Sequence, residues 1–375
     1  MLALFWASIS LIVYTYLGYP LMLMVLSRFR SRTVEAGKDY LPHVTLIVTV
    51  FNEEQRLQKK IANTLELDYP RDKLEIIFAS DASTDTTDDI IRSYGGKGIK
   101  LVRSPYRGGK ENAQKCAIEQ AKGEIIVFSD VATMLGKDGI RNIVSNFADP
   151  SVGCVSSEDR FINPEGTISG EGAYVRYEMW LRSLESRANS VVGLSGSFFA
   201  ARKHVCANWP TNIPSDFNTL LNTIRAGYRG ISDPHSVGVY NNIKDEKKEF
   251  DRKVRTITRG ISALFADTSL MNPAAYGMFS WQLISHKLMR WLVPWLLITA
   301  LFSNAYLAFF KRRCALLLMM QAIFYLSAYL GSRPPHKSYL LKIPFYFIQV
   351  NRAIAVAWLR YLKGERFVTW IPSSR

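Results

Sequence analysis

Charged residues are absent from the first 26 positions, Met1 to Leu26. A stretch of this length can cross the hydrocarbon core of a bilayer, which is ~30 Å thick. Basic residues follow it at Arg28, Arg30 and Arg32, which reverses the order found in a cleaved signal peptide. The sequence therefore predicts an uncleaved transmembrane helix over residues 1–27, with its basic flank in the cytoplasm. A buried N-terminal helix is the alternative.

Cysteine is scarce, and its positions show no spacing typical of metal ligands. The four cysteines are Cys116, Cys154, Cys206 and Cys314. Their scatter is typical of a protein in a reducing cytoplasm. The first predicted strand is not followed by Gly-x-Gly-x-x-Gly, which argues against an oxidoreductase that uses a dinucleotide.

Acidic residues are outnumbered: 32 Asp and Glu stand against 47 Lys and Arg, for a formal net charge of +15. Such a charge would suit a nucleic-acid partner, but the uncharged runs favour basic flanks that face anionic membrane lipid. A basic groove for a substrate with phosphate groups would add to this charge. We therefore expect membrane lipids, and no nucleic acid, among the partners.

Long apolar runs return near the C-terminus. Residues 291–310 and 314–331 are uncharged, and each predicts a transmembrane helix. Residues 273–290 mix aromatic side chains with lysine and arginine, which is typical of an interfacial helix. Residues 343–362 are interfacial or transmembrane, because Arg352 at mid-bilayer would cost at least ~2.5 kcal/mol. Three spans with an interfacial helix are favoured, and four stay open.

Between these ends, residues 42–268 alternate apolar strands with helical segments. This order predicts an α/β fold with a mostly parallel, Rossmann-like sheet. Ligands of such sheets bind beyond the carboxyl ends of the strands. Three predicted strands end in the polar turns Phe51-Asn52-Glu53, Ser80-Asp81-Ala82 and Ser129-Asp130. These turns predict a ligand site at one sheet edge, although Asp81 and Asp130 would also suit turn capping alone.

Five stretches, in this order, make the chain resemble the membrane-anchored family 2 glycosyltransferases. They are VTVFNEE, ASDASTD, GGKENA, VFSDVAT and GSFFAARK followed by PSDF. The later segment RKVRTITRG stands where that family, which includes cellulose, chitin and hyaluronan synthases, has Gln-x-x-Arg-Trp. The resemblance implies a GT-A fold for residues 42–268, with transmembrane helices at both ends of the chain.

The resemblance also implies that the polar strand ends hold a nucleotide-diphosphate sugar. Phe51 and Asn52 would lie against the base, and Glu53 belongs to the same donor-binding turn. Asp81 would accept a hydrogen bond from the base or the ribose. Lys110 would meet the diphosphate as a point charge. The alternative for Lys110 is a solvated lysine at the start of a helix.

Asp130 matches the first aspartate of the family's Asp-x-Asp motif, which helps to hold the donor and a divalent metal. The second position is Ala132, which offers no oxygen. The resemblance implies Mg²⁺ or Mn²⁺ as a cofactor that neutralises charge on the departing diphosphate. Either Asp130 holds the metal with the diphosphate and water, or another ligand substitutes, or the metal is weak or absent. Lys110, Arg255 and Arg259 would supply compensating charge, and Arg255 is expected to bind the donor diphosphate.

Asp216 matches the family's general base, which takes a proton from the acceptor hydroxyl as that oxygen attacks the sugar. Ser215 precedes it where the family has an acidic residue, and helix capping is a second role open to this turn. Gly196 and Ser197 match a segment that lines the acceptor side. Thr256 stands in place of the tryptophan that helps to position the acceptor in processive synthases, which puts polymerisation in doubt.

The resemblance thus implies an inverting glycosyltransferase that moves a sugar from a UDP-sugar to a glycan or a lipid-linked saccharide. It predicts a multi-pass inner-membrane protein with a cytoplasmic catalytic domain, in envelope or exopolysaccharide synthesis. The alternative is a non-catalytic membrane protein that binds nucleotide sugars as a sensor or assembly subunit. Ala132, Ser215 and Thr256 favour this alternative, whereas Asp130 and Asp216 argue against it.

Overall fold

The computed structural model describes residues 1–162, 172–241, 246–333 and 339–367. Its strands are β1 (Val44–Val50), β2 (Leu74–Ser80), β3 (Ile99–Arg103), β4 (Ile125–Asp130), β5 (Met134–Leu135), β6 (Val152–Ile162), β7 (Phe198–Arg202) and β8 (Arg229–Asn241). Its α-helices are α1 (Leu2–Val13), α2 (Tyr19–Phe29), α3 (Glu54–Leu65), α4 (Thr87–Ser93), α5 (Lys110–Gln120), α6 (Gly139–Ser145), α7 (Gly172–Ala188), α8 (Ser215–Arg225), α9 (Glu246–Ala266), α10 (Pro273–Tyr276), α11 (Met278–Leu283), α12 (Met289–Ala308), α13 (Arg312–Gly331) and α14 (Tyr339–Leu362). Turns of π-helix lie at Tyr14–Gly18 and Ile284–Leu288, and turns of 3₁₀-helix lie at Arg71–Lys73, Gly95–Lys97, Asn146–Ala148, Lys203–Cys206 and Ser269–Met271.

The strands of the described residues form one eight-stranded mixed sheet in the order β3-β2-β1-β4-β7-β6-β8-β5. β1 runs parallel to β2 and to β4, with Thr49 opposite Asp130. The carboxyl ends of these strands therefore meet at one edge of the sheet, as the polar strand ends predicted. β7 is antiparallel to β4 and places Phe198 opposite Ser129, so the turn before β7 reaches the same edge.

The central strand β1 is buried because apolar residues cover both faces of the sheet. Ile47 belongs to a core that also holds Ile126 and Phe128. Its neighbours Leu46 and Val48 belong to a second core, as the alternation of side chains along a strand requires. Every residue of β1 is buried, which explains why its sequence is nearly all apolar or β-branched.

The sequence predicts helices over residues 53–66, 84–93 and 111–122, which correspond to α3, α4 and α5, and the largest shift is at the start of α4. The sequence predicts a helix from Thr84 to Ser93, but α4 begins at Thr87. The Thr84 amide donates to Asn52 Oδ1 (2.8 Å), and the Thr87 amide donates to Asp85 Oδ1 (3.0 Å). Local side chains thus satisfy these amides before the helix begins.

Four helical runs of the described residues are long and apolar enough to cross a membrane, judged by length and composition. They are Leu2–Phe29, Met278–Ala308, Arg312–Gly331 and Leu340–Leu362. The second run passes through residue 290, where the sequence predicts a boundary between an interfacial helix and a span. Gly277 (φ 53°) breaks the helix before this run, whereas the π-helical turn within it widens the helix without ending it.

The last helix, α14, packs along α9 and against α12. The indole of Trp358 donates from Nε1 to the main-chain oxygen of Trp291 (2.8 Å). Its ring centroid lies 5.7 Å from that of Phe265. This packing holds α9 and α12 side by side next to the sheet edge.

Candidate active site

A cavity of about 370 Å³ opens at the carboxyl edge of β1 and β4. Its walls come from the strand ends, the turn before β7, the helices α5, α8, α9 and α12, and the π-helical turn before α12. Two carboxylates that are distant in the sequence, Asp130 and Asp216, face this one space. The predicted site residues that line it are Glu53, Lys110, Asp130, Gly196, Ser197, Asp216 and Arg255.

Asp81 is not among the described residues that line this cavity. It is fully buried and accepts hydrogen bonds from the amides of Gly108 (2.9 Å) and Gly109 (2.9 and 3.0 Å). Burial raises the pKa of the Asp81 carboxyl, and these amide hydrogen bonds act in the opposite direction. Asp81 therefore anchors the glycine turn that presents Lys110 at the start of α5.

Phe51 and Asn52 also lie outside the cavity lining. The guanidinium carbon of Arg107 stands 4.0 Å from the centroid of the Phe51 ring. Asn52 has a left-handed backbone (φ 50°), and its side-chain amide donates to Thr84 Oγ1 (3.1 Å). Both residues shape the turns beside the cavity, and their contact with a base stays a prediction.

Glu53 joins the lining from the end of β1. Its side chain is 4% exposed and accepts two hydrogen bonds of 2.8 Å from Arg56. Burial raises the pKa of Glu53, and the Arg56 guanidinium opposes that rise. The carboxylate is thus already engaged by a neighbouring cation within α3.

Lys110 connects the end of β4 to the turn before β7. Its Nζ donates to Asp130 Oδ1 (2.5 Å) and to the main-chain oxygen of Gly196 (2.9 Å). Gly109, at φ 95°, supplies the backbone turn immediately before this lysine. A strand end, a helix start and the turn before β7 therefore meet at one ammonium group.

A second lysine, Lys60 of α3, lies completely buried beneath the same strand end. Its Nζ donates to Ser129 Oγ (2.7 Å) and to the main-chain oxygen of Thr133 (2.5 Å). Burial lowers the pKa of Lys60 to about 7, and the charge of Asp130 acts in the opposite direction. This residue is not predictable from the sequence, because nothing there distinguishes it from the exposed Lys59 beside it.

Asp216, in the first turn of α8, is half-exposed in the cavity wall. A Cβ atom built on Gly196 would lie 3.3 Å from Asp216 Oδ2, so the glycine leaves room beside the carboxylate. Within the described part of the chain, no group donates a hydrogen bond to this carboxylate. It is therefore available to accept a proton from a molecule in the cavity.

The basic wall of the cavity comes from α9. Arg259 forms an ion pair of 2.6 Å with the buried Glu111. Arg255 forms no ion pair with another described residue. Burial, with the charges of Arg259 and Arg252, lowers the pKa of Arg255 from its usual value. This guanidinium is placed to meet an anion in the cavity.

Among the lining residues that were not predicted as site residues, three come from distant elements. Lys287 and Trp291 enter from the helical run that follows Gly277, a segment whose composition suggested only membrane contact. Asp159, on β6, accepts hydrogen bonds from the hydroxyls of Ser195 (2.5 Å) and Ser197 (2.9 Å). No motif in the sequence marks these three positions, since only the packing of distant elements brings them to the cavity.

Asp130, the carboxylate expected to hold a divalent cation, lines the cavity. Among the described residues, no group of three or more His, Cys, Asp or Glu side chains is arranged to bind a metal. Lys110 donates a hydrogen bond to Oδ1 of Asp130. The other carboxylate oxygen, Oδ2, is the atom that would bind a metal ion. Mg²⁺ typically keeps several waters and binds through one or two carboxylates and substrate phosphates, so this donor set fits such an ion.

The sequence model of the family described as Glycosyl transferase family 2 matches residues 45–207, which include β1, β4 and the turn before β7. The chain carries a family 2 glycosyltransferase domain. The resemblance inferred from the five sequence stretches is thereby confirmed. Asp216 and the basic helix α9 lie beyond the matched residues.

Relatives of this glycosyltransferase domain make glycolipid or polysaccharide, according to their names. A β-monoglucosyldiacylglycerol synthase from Nostoc sp. is 26% identical over 214 residues, which are 54% of this chain and 46% of the relative. A poly-β-1,6-N-acetyl-D-glucosamine synthase from Staphylococcus epidermidis is 26% identical over 192 residues, which are 49% of this chain and 46% of the relative. The chain thus matches less than half the length of either relative.

The glycosyltransferase domain has the GT-A fold, with apolar helices at both ends of the chain. A solved structure supports this, namely the mannosyltransferase PcManGT from Pyrobaculum calidifontis in complex with GDP-Man and Mn²⁺. It superposes with a TM-score of 0.75 at 24% identity, and covers 97% of this chain and 100% of that protein. The predicted α/β fold class is therefore confirmed.

Proposed function

We propose that this glycosyltransferase transfers a sugar from a UDP-sugar to a hydroxyl group of a glycan or a lipid-linked saccharide, with inversion at the anomeric carbon. The observation that carries the proposal is that Asp130 and Asp216 face one cavity at the edge of the sheet. The names of the relatives from Nostoc and Staphylococcus support an acceptor of this class. The setting would be the inner membrane, with a cytoplasmic catalytic domain, in envelope or exopolysaccharide synthesis.

Asp216 acts as the general base in this mechanism. Its half-exposed carboxylate takes the proton of the acceptor hydroxyl while that oxygen attacks the anomeric carbon. The new glycosidic bond forms on the face opposite the bond to the nucleoside diphosphate, which breaks. The configuration at the anomeric carbon is therefore inverted.

Lys110, Asp130 and Arg255 hold the donor. Mg²⁺ or Mn²⁺ would be bound by Asp130, the donor diphosphate and water, and the neighbour from Pyrobaculum calidifontis is described in complex with GDP-Man and Mn²⁺. Such an ion supplies positive charge that stabilises the departing diphosphate. Lys110 is held by Asp130 and Gly196 at the same place, and Arg255 approaches from α9 without a carboxylate partner among the described residues.

The substitution Asp216→Asn tests the proposal. An amide of nearly the same shape binds the donor but does not accept the proton, so we expect turnover to fall by about 10²- to 10⁴-fold. The full chain in native membranes is screened with radiolabelled nucleotide sugars, and UDP binding is measured in parallel on the purified protein. The matched control is Asp89→Asn, an exposed carboxylate on α4 that lies outside the cavity lining.

The screen is repeated with a chelator and with added Mn²⁺, which tests whether one carboxylate is enough to retain the metal. If wild type and Asp216→Asn both bind UDP but transfer no sugar from any donor, the proposal is wrong. That result would favour the non-catalytic sensor that Ala132 and Thr256 suggest.

A further inference from the structure

Two side chains of the helical run Met278–Ala308 line the cavity, Lys287 and Trp291. They lie four positions apart on a helical path, so they share the face that meets the domain. The same run is one of those long and apolar enough to cross a membrane. Part of the cavity wall is therefore built by a helix whose continuation is suited to the bilayer.

Two glycines make room for these side chains. A Cβ atom on Gly193 would lie 3.0 Å from Lys287 Nζ, and one on Gly260 would lie 3.1 Å from Trp291 Cζ2. The Lys287 ammonium also stands 5.7 Å from the ring centroid of Phe217, the residue after Asp216. The lysine thus belongs to the Asp216 side of the cavity.

The ion pairs of the lining leave this lysine without a carboxylate partner. Basic lining residues with such a partner are Arg56 with Glu53, Lys110 with Asp130, Arg252 with Glu249 and Arg259 with Glu111. Among the described residues, neither Arg255 nor Lys287 forms an ion pair. Arg255 approaches from α9, whereas Lys287 approaches from the helical run that is long and apolar enough to cross a membrane.

Charged groups of both signs surround Lys287. The charges of Arg182 and Arg290 act on it, and the carboxylates that also act on it are Glu178 and Asp216. Glu178 forms an ion pair with Arg290, so its charge is shared and does not serve as a counter-ion for Lys287 only. A partly buried cation without a dedicated counter-ion favours an anionic ligand.

We infer that Lys287 binds a phosphate group carried by a membrane-borne acceptor, next to the acceptor hydroxyl that Asp216 deprotonates. This inference rests on the proposed function and narrows its acceptor to lipids that bear phosphate. The helix that carries Lys287 places the subsite where a lipid headgroup enters the cavity, while the lipid tail stays along the apolar run.

Binding measurements on the full-length protein in a phosphate-free detergent, dodecyl maltoside, test this subsite. The probes are farnesyl phosphate, farnesol and inorganic phosphate, with UDP and GDP as probes of the donor side. We expect the wild type to bind farnesyl phosphate about ten- to a hundredfold more tightly than farnesol, as a charge-assisted contact implies. Lys287→Met should abolish that difference, Lys287→Arg should keep most of it, and nucleotide affinity should not change.

The matched control is Lys311→Met, an exposed lysine between α12 and α13. An unchanged circular dichroism spectrum and a single peak in size-exclusion chromatography show that each variant is folded, and Lys287→Gln replaces the methionine variant if that one does not fold. Equal binding of farnesyl phosphate by wild type and Lys287→Met overturns the inference. Loss of nucleotide affinity in a folded variant also overturns it, because Lys287 would then belong to the donor side.

Inorganic phosphate that binds as tightly as farnesyl phosphate would overturn the lipid-borne source of the anion. These binding results need no turnover, so they are independent of the Asp216→Asn experiment. An inactive wild type contradicts the proposed function, whereas an active enzyme whose Lys287→Met variant binds farnesyl phosphate normally contradicts this inference alone.

Discussion

At the scale of single residues, Lys60 lies in an environment that disfavours its positive charge. It is fully buried, and its hydrogen-bond partners are a hydroxyl and a main-chain oxygen rather than a carboxylate. Desolvation favours the neutral amine, which is why its pKa falls to about 7. In return, the lysine connects Ser129 to Thr133 and so holds the turn that contains Asp130 and Ala132.

Lys60→Met should flatten the dependence of stability on pH. Above pH 7 the folded protein releases the Lys60 proton, whereas the unfolded chain keeps it until near pH 10.5. Because the unfolded state then binds more protons, the wild type gains stability as the pH rises through this window. Between pH 7 and pH 9.5 this gain amounts to at most about 3 kcal/mol, which methionine does not provide.

Urea unfolding of the detergent-solubilised protein at several pH values measures this difference. Lys59→Met, at the exposed neighbouring position, should keep the slope of the wild type. Parallel stability curves for wild type and Lys60→Met would mean that the buried amine keeps its ordinary pKa.

At the scale of elements, α9 connects the cavity to the C-terminal helix. One side of α9 presents Arg255 and Arg259 to the cavity, while Val254 and Ile261 are fully buried. Trp358 of α14 holds α9 and α12 together. Its ring packs against Phe265 of α9, and its indole donates a hydrogen bond to the main-chain oxygen of Trp291 in α12. The position of the basic wall therefore depends on a helix that contributes no residue to the lining.

Trp358→Ala should destabilise the protein by about 3 kcal/mol, since it removes a large packed ring and one hydrogen bond. Trp358→Phe keeps most of the ring and loses the hydrogen bond, so we expect a loss of about 1 kcal/mol. Unfolding in detergent measures both changes. If the two variants are equally stable, the ring packing between α14 and α9 contributes little.

At the scale of the whole molecule, the catalytic domain is joined to the terminal helices by a buried polar junction. The hydroxyl of Tyr19 in α2 donates to Glu185 Oε1 (2.6 Å), and His286 Nδ1 lies 2.6 Å from the same oxygen. Tyr14 and Ser285 share a further hydrogen bond of 2.7 Å between the two π-helical turns. The domain is thus fixed against the helices that are suited to the bilayer.

Labelling of single cysteines tests the expected topology. In a chain whose four native cysteines are replaced, Asp72→Cys in the domain and Lys311→Cys between α12 and α13 should be labelled from opposite sides of the membrane. The 31 residues of Met278–Ala308 span roughly 46 Å as a helix, enough to cross the bilayer between these two sites.

Labelling of both sites from the same side would contradict a crossing by this run. The basic cluster at 311–313 makes the test informative, because the positive-inside rule disfavours its placement outside. The α13 helix is expected to return the chain to the side of the domain.

The strand and helix pattern of the central region was predictable because it depends on residues close together in the chain. The run Ile125–Phe128 forms a strand because its residues are apolar and mostly β-branched. Asp130, the last residue of that strand, lies at the ligand edge because the carboxyl ends of parallel strands share one edge of the sheet. The convergence of Asp130 and Asp216 was an expectation from resemblance, and the structure places both in one cavity. The burial of Asp81 beneath the glycine turn was not predictable, since its partners are amides with no side-chain signature.

By itself, the sequence determined the α/β domain and the apolar terminal helices, because periodicity and strand ends are local properties. The motif residues Lys110, Asp130 and Asp216 were expected from the resemblance to the glycosyltransferase family. Tertiary structure alone decided that Lys60 is buried beneath the donor motif and that Lys287 and Trp291 belong to the cavity. These side chains look like ordinary surface or membrane-flanking residues in the sequence. Their environment is set by elements far away in the chain, whose packing no local pattern specifies.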